Sequence, residues 1–216
     1  MSNQSNPLSP TRRTLIWAAV ALPTLAAKSA WAAKGGPKVI TVLGDSITAG
    51  RGLPTAQSLP AQLQIALTVR KADVVVRGAG VSGDTTAGGL ARVGFSVQND
   101  TDLCIVALGG NDALQGVSPE VSRGNLDAIV KKLKARKIHV LVAGLVAPAD
   151  LGGAYAREFS AIFPAVAKAN KVALYPNLLD GVAFQGRLNQ GDGLHPNADG
   201  ARIIAERMAP AVLKAL

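Results

Sequence analysis

From Lys38 onward, short apolar runs alternate with stretches of helical period, and no repeat or low-complexity tract interrupts them. The first run, Val39-Ile40-Thr41-Val42-Leu43, has the length and Val/Ile content of a strand buried on both faces. It stops abruptly at the small-residue turn Gly44-Asp45-Ser46. Residues 59–70 place Leu59, Leu63, Ile65, Ala66, Leu67 and Val69 on an amphipathic helix, with Pro60 in its first turn. A second strand over 73–77 runs into a glycine-rich loop, where Asp84, Thr85 or Thr86 caps a helix towards Gln98. A third strand over 102–108 ends in Gly109-Gly110-Asn111-Asp112.

Residues 119 to about 136 form a long helix with Leu126, Ile129, Val130 and Leu133 on one face. Its cations, Lys131, Lys132, Lys134 and Arg136, gather near the carboxyl end, where they complement the helix dipole. A fourth strand over 138–144 leads into a loop over 145–153, then a helix from about 155 to 169 expected to kink or restart at Pro164. A short fifth strand over 172–175 precedes a last helix from near 196 to about 213, with Ile203, Ile204, Met208 and Val212 inward. Strands alternating with helices predict a three-layer α/β/α fold: a doubly wound, flavodoxin-like, five-stranded parallel sheet.

The 216 residues suffice for one such domain, and 48% hydrophobic against 17% charged residues marks a packed chain. The formal charge of +9 raises the question of nucleic acid, and the N-terminus answers part of it. There, Thr11-Arg12-Arg13 precedes an apolar run of about 13 residues from Leu15 to Ala27, shorter than the roughly 20 a membrane span needs. With Lys28 after the run and Ala30-Trp31-Ala32 as a small-x-small cleavage site, residues 1–33 read as a twin-arginine export signal cleaved near Ala32 or Ala33. An uncleaved amphipathic anchor is the alternative. Cleavage removes three of the 23 basic residues, leaving 20 against 14 acidic ones and a net charge of +6. Residues 34–216 then form one periplasmic or secreted domain, with the twin-arginine machinery as export partner and no stable membrane anchor. Aromatics are only 4%, and no basic run interleaves with them, so a nucleic-acid platform is not expected.

The single cysteine, Cys104, lies inside an apolar run, which excludes an intrachain disulfide and makes it a core residue rather than a catalytic thiol. No metal or organic cofactor is implied.

In a parallel sheet the ends of the first three strands and the loop before the last helix share one edge, and each carries candidate chemistry. Taken alone, Gly-Asp-Ser also fits a serine that caps the next helix. In Asp192-Gly193-Leu194-His195-Pro196 the spacing lets Asp192 reach the His195 ring and fix its tautomer, freeing the other nitrogen for a nucleophile. A lone Asp-x-x-His also fits a surface loop. His139 falls in a strand and is read as a core or edge residue without a role. A serine needs a base at neutral pH, and His195 is the one of the two histidines in a loop, so Ser46, Gly83, Asn111 and His195 together favour catalysis.

Gly44-Asp45-Ser46, Gly83 within Ser82-Gly83-Asp84-Thr85, Gly109-Gly110-Asn111-Asp112 and Asp192-x-x-His195-Pro196 resemble, in order, the four blocks of the SGNH (GDSL-like) hydrolases. The resemblance is greatest to the arylesterase and thioesterase I/lysophospholipase branch, and extends to Ala154-Tyr155-x-x-Glu158-Phe159. It implies Ser46 as nucleophile, His195 as base and then acid, and Asp192 as orienting carboxylate. It further implies an oxyanion hole from the backbone N–H groups of Ser46 and Gly83 and the side-chain amide of Asn111. Asp45, Asp84 and Asp112, inside the blocks, are read as loop braces. Two departures stand out: Gly78, where relatives often carry Asn, bears on the hydrogen bonding of the second loop, and Gly191, in place of a frequent acid, leaves Asp192 as the carboxylate there.

Leu145, Pro148 and Leu151, with Val146 and Ala147, are expected to wall the acyl site. The substrates that the resemblance implies are aryl and short-to-medium acyl esters, with thioesters and lysophospholipids beside them. The competing classes are a carbohydrate acetylesterase, a flavodoxin-like binding module and an inactive export-associated scaffold. Few aromatics remain for sugar stacking, no G-x-G-x-x-G or Walker sequence is present, and a scaffold would tolerate loss of Ser46 or His195.

Overall fold

The first strand, β1 (Lys38–Gly44), buries its last five residues in the middle of a parallel sheet. The computed structural model to which it belongs describes residues 1–2 and 36–216. The expected export signal therefore lies outside the described residues, apart from Met1 and Ser2. β1 pairs with β2 (Val74–Gly80) on one side and β3 (Leu103–Ala107) on the other, followed by β4 (His139–Ala143) and β5 (Ala173–Tyr175). The order β2-β1-β3-β4-β5, with every neighbouring pair parallel, is the doubly wound arrangement expected from the alternation.

The described helices are α1 (Ser46–Ala49), α2 (Leu59–Val69), α3 (Thr86–Ser96), α4 (Gly110–Leu114), α5 (Pro119–Ala135), α6 (Gly153–Asn170) and α7 (Ala198–Ala215). Side chains of β1 alternate between two cores, as the period of two requires. Leu43 joins Val93, Leu126, Ile129, Phe159 and Phe163 under α3, α5 and α6. Ile40 and Val42 join Leu63, Leu67, Ile204 and Met208 under α2 and α7. None of the described helices is long and apolar enough to cross a membrane.

The structure departs from the periodicity reading in four places. Strand β2 continues to Gly80, with Gly78 paired opposite Val42, so Gly78 belongs to the ladder and not to the second loop. The helix expected to kink or restart at Pro164 is one element over Gly153–Asn170, because Phe159, Phe163, Val166 and Ala167 on either side of the proline lie in the same core. Ile65 and Val69, one turn apart, form an exposed stripe at 54% and 75% instead of joining the buried face of α2. Helix α7 begins two residues later than Pro196, because Asn197 Oδ1 accepts the Gly200 N–H at 3.0 Å and sets the cap.

Candidate active site

Ser46 opens α1 directly after β1. The Asp45 carboxylate accepts the Ile47 N–H at 3.0 Å, which caps this short helix. A methyl group at Gly80 would stand 2.2 Å from the Ala49 nitrogen, so only glycine lets α1 lie against the end of β2. Ser46 is thereby held at the carboxyl edge, buried to 7%, with Oγ 2.9 Å from Nε2 of His195. On the far side of the ring, Nδ1 lies 2.6 Å from Asp192 Oδ2. The other Asp192 oxygen accepts the N–H groups of Leu194 and His195 at 2.9 and 3.0 Å. An Nδ1–H donated to the carboxylate leaves Nε2 as acceptor for the serine hydroxyl. The N–H of His195, then its ring and the Leu194 N–H, hold the Asp192 carboxyl well below the usual range, so it stays ionised at neutral pH.

The loop carrying this pair is braced at both ends. Asn189 and Pro196 bridge in antiparallel fashion, and the Gln190 N–H donates to the His195 carbonyl at 2.8 Å. Nothing would meet a side chain at Gly191, and no carboxylate other than Asp192 contacts His195 among the described residues.

Gly83, at φ +82°, sits in a left-handed turn that favours glycine, closed by the Asp84 N–H to the Val81 carbonyl at 3.1 Å. Asn111 lies in α4 and donates one Nδ2 hydrogen to the Asp84 carbonyl at 2.8 Å, leaving the other unused. Within the described residues, no acceptor takes up the N–H of Ser46 or Gly83. Ser46, Gly83, Asn111 and His195 line one cavity of about 170 Å³, so three donors converge where an oxyanion could sit beside the hydroxyl.

The three block carboxylates brace loops, as expected. Asp84 Oδ1 accepts the Thr85 N–H at 3.1 Å, and buried Asp112 accepts the Thr86 N–H at 2.8 Å and the Ser122 hydroxyl at 3.0 Å. Burial pushes the Asp45 carboxyl up to about 6, against the opposing hydrogen bond from Ile47. A carboxyl with a raised folded-state pKa binds its proton more tightly in the native state. It therefore adds stability at acid pH, lost as pH rises from about 4 to about 6. The Asp192 shift acts in the opposite sense below that window. Asp45→Asn, which can still accept the Ile47 N–H, is expected to remove this slope, worth up to about 3 kcal/mol. Urea unfolding at pH 4.5 and pH 7 checks it: the wild type is to lose stability between the two, and the variant to lose clearly less.

Of the wall expected for the acyl site, Leu145, Val146, Pro148 and Leu151 line the cavity, whereas Ala147 is buried in the core instead. Leu114, Leu179, Ala183 and Phe184 also line the cavity, a second set of apolar wall residues that the sequence reading did not single out. A phenylalanine in the loop before Asp192 was the available signal for this second wall. Also unforeseen was Arg92 of α3. Its Nε meets Asp84 at 2.7 Å, and its two terminal nitrogens donate to the Ala79 and Gly44 carbonyls, each at 2.8 Å. Its signal was a cation eight residues after Asp84, on a helix with one apolar face. His139 sits at the opposite edge of the sheet, 3.2 Å from the Ala215 carbonyl, and Cys104 is buried in β3 with its thiol pushed up to about 12.

A family model described as "GDSL-like Lipase/Acylhydrolase family" matches residues 42–203. Esterase TesA of Pseudomonas aeruginosa is 39% identical over 160 residues, covering 74% of this chain and 80% of that protein. An arylesterase of Vibrio mimicus is 35% identical over 186 residues, covering 86% and 93%. The crystal structure of AlinE4, an SGNH-hydrolase family esterase, superimposes with a TM-score of 0.70 at 44% identity, covering 84% of this chain and 98% of that one. The chain belongs to the GDSL-like lipase/acylhydrolase family, the SGNH hydrolases.

Proposed function

We propose that this protein is a serine carboxylester hydrolase in which Ser46, His195 and Asp192 act through an acyl-serine intermediate. The observation that carries this reading is the unbroken line from Asp192 Oδ2 through the His195 ring to Ser46 Oγ, at 2.6 and 2.9 Å, beside three unengaged donors. His195 Nε2 takes the hydroxyl proton as Ser46 Oγ bonds to the carbonyl carbon, and the electron pair of the C=O moves to oxygen. The N–H groups of Ser46 and Gly83 and the Asn111 amide hold that oxyanion. The intermediate collapses, His195 protonates the departing alcohol or thiol, and water repeats the sequence on the acyl-serine.

The apolar walls suit aryl and short-to-medium acyl groups, and thioesters would follow the same path with a thiol leaving group. Lysophospholipids stand as substrates on the family resemblance. Hydrolysis of p-nitrophenyl esters from acetyl upward tests the reading, and the chain-length optimum measures the cavity. A wild type inactive on every ester would turn attention to acetylated glycans. Asn111→Ala is expected to lower kcat by about 10²–10³-fold while the fold persists, since one preorganised oxyanion donor is lost. Retention of full kcat would remove Asn111 from the site.

The same reading makes the protein an exported one, acting in the periplasm or beyond after cleavage near Ala32 or Ala33. N-terminal sequencing of material recovered outside the cytoplasm checks it. A start at Met1 or Ser2 would contradict it.

A further inference from the structure

Ester hydrolysis as described leaves one cavity residue, Arg51, without a task. Its backbone is fixed from two sides. The N–H donates to the Ser46 carbonyl at 3.0 Å, and its carbonyl accepts Nε2 of Gln190 at 2.8 Å from the loop that carries His195. Its guanidinium makes no hydrogen bond or ion pair with the described residues, and Arg51 is one of the residues that line the cavity. Among the lining side chains only Asp45, Arg51 and His195 are ionisable, so Arg51 is the cavity's permanent cation.

Its position says what the charge faces. Arg51 shares with Ser46 and His195 both the main cavity and an adjoining crevice of about 10 Å³, too small to take a ligand group itself, so it stands on the His195 side of the cavity. His195 hands its proton to the leaving oxygen, so the departing half of the ester must lie on the His195 side. We infer that Arg51 is a specificity-determining residue that binds an oxyanion, a carboxylate or phosphate, carried on the leaving group of the ester. This rests on the acyl-serine reading above. A guanidinium offers a planar fork matched to such groups, and Arg51, exposed to solvent, is free to present it.

The test uses pairs of butyrate esters that share the acyl half. 4-Carboxyphenyl butyrate is compared with 4-carbamoylphenyl butyrate, and 1-butyrylglycerol 3-phosphate with 1-butyrylglycerol, in wild type, Arg51→Gln and Arg51→Lys. In Arg51→Gln the anionic-to-neutral ratio of kcat/KM is expected to fall roughly tenfold, with Arg51→Lys in between. Raised salt narrows the wild-type ratio. The pair that shows the larger fall identifies the preferred anion. A purely structural role would lower both esters of a pair together and leave their ratio alone, and an unchanged ratio in both pairs overturns the inference. A wild type that cleaves p-nitrophenyl butyrate but none of the four esters overturns the inference, and one that fails to cleave p-nitrophenyl butyrate as well counts instead against the aryl and acyl ester reading on which it rests.

Discussion

Ser46→Ala is expected to reduce p-nitrophenyl ester turnover by about 10⁴-fold or more in kcat and to remain folded. The proposed acylation has one nucleophilic oxygen, and no other side chain among the described residues is placed to replace it. Cys104 is buried in β3 with its thiol pushed up to about 12, and Thr48, on the next face of α1, is buried without a partner in the core beneath. What survives is stabilisation by the oxyanion donors, which continue to bind the substrate without forming an acyl-enzyme. The fold loses one hydrogen bond, Oγ to His195 Nε2, about 1 kcal/mol. Steady-state rates and the mass of the protein after an organophosphate read both halves of the claim: the wild type gains one adduct on Ser46, the variant none. Activity within tenfold of wild type would place the nucleophile elsewhere.

The largest effect on the fold is expected from Arg92→Met. The Arg92 guanidinium ties the carbonyls at the ends of β1 and β2 to the Asp84 carboxylate, with only 17% and 10% of the two side chains exposed. Methionine fills similar space but takes a donor from the Ala79 and Gly44 carbonyls, the latter keeping the Val81 N–H at 3.0 Å, and leaves a largely buried carboxylate without its cation, a loss of about 3 kcal/mol. The loop that carries Gly83 hangs on the same clamp, so kcat falls together with stability. Arg92→Lys keeps the charge without the fork and recovers the loss only in part. Urea midpoints and kcat for the three proteins decide it. A methionine variant as stable as wild type would reduce the clamp to a surface ion pair.

What could be read from the sequence was the chemistry that each strand end carries locally. Asp192 and His195 are three residues apart, so their mutual reach follows from spacing, and Gly44, Gly83 and Asn111 each stand at the end of a run whose period had already marked a strand. What could not be read depends on distant packing. Arg92 and Gly44 are 48 residues apart, and nothing local at either position announces the other. β2 runs through Gly78 and Gly80 because β1 pairs with it along its whole length and α1 needs the space, whereas composition alone marks those glycines as loop. Pro164 marks a helix break by its own chemistry, and only the surrounding core overrides it. The cavity residues Leu179, Ala183 and Phe184 come from a loop of no regular period, positioned by hydrogen bonds such as Asn189 Nδ2 to the Val182 carbonyl at 2.8 Å.

The hydrogen bond between Ser46 and His195 spans 149 residues, almost the whole length of the domain. During synthesis from the N-terminus, the strands bearing Ser46, Gly83 and Asn111 are complete while the histidine loop is still unmade. That loop finds its place only when α7, capped two residues beyond His195, docks on α2 and the sheet. A nascent or truncated chain can thus display most of the pocket and still be chemically silent. In refolding, the return of ester turnover is a clock for the last long-range contact, and should lag behind the return of helical signal.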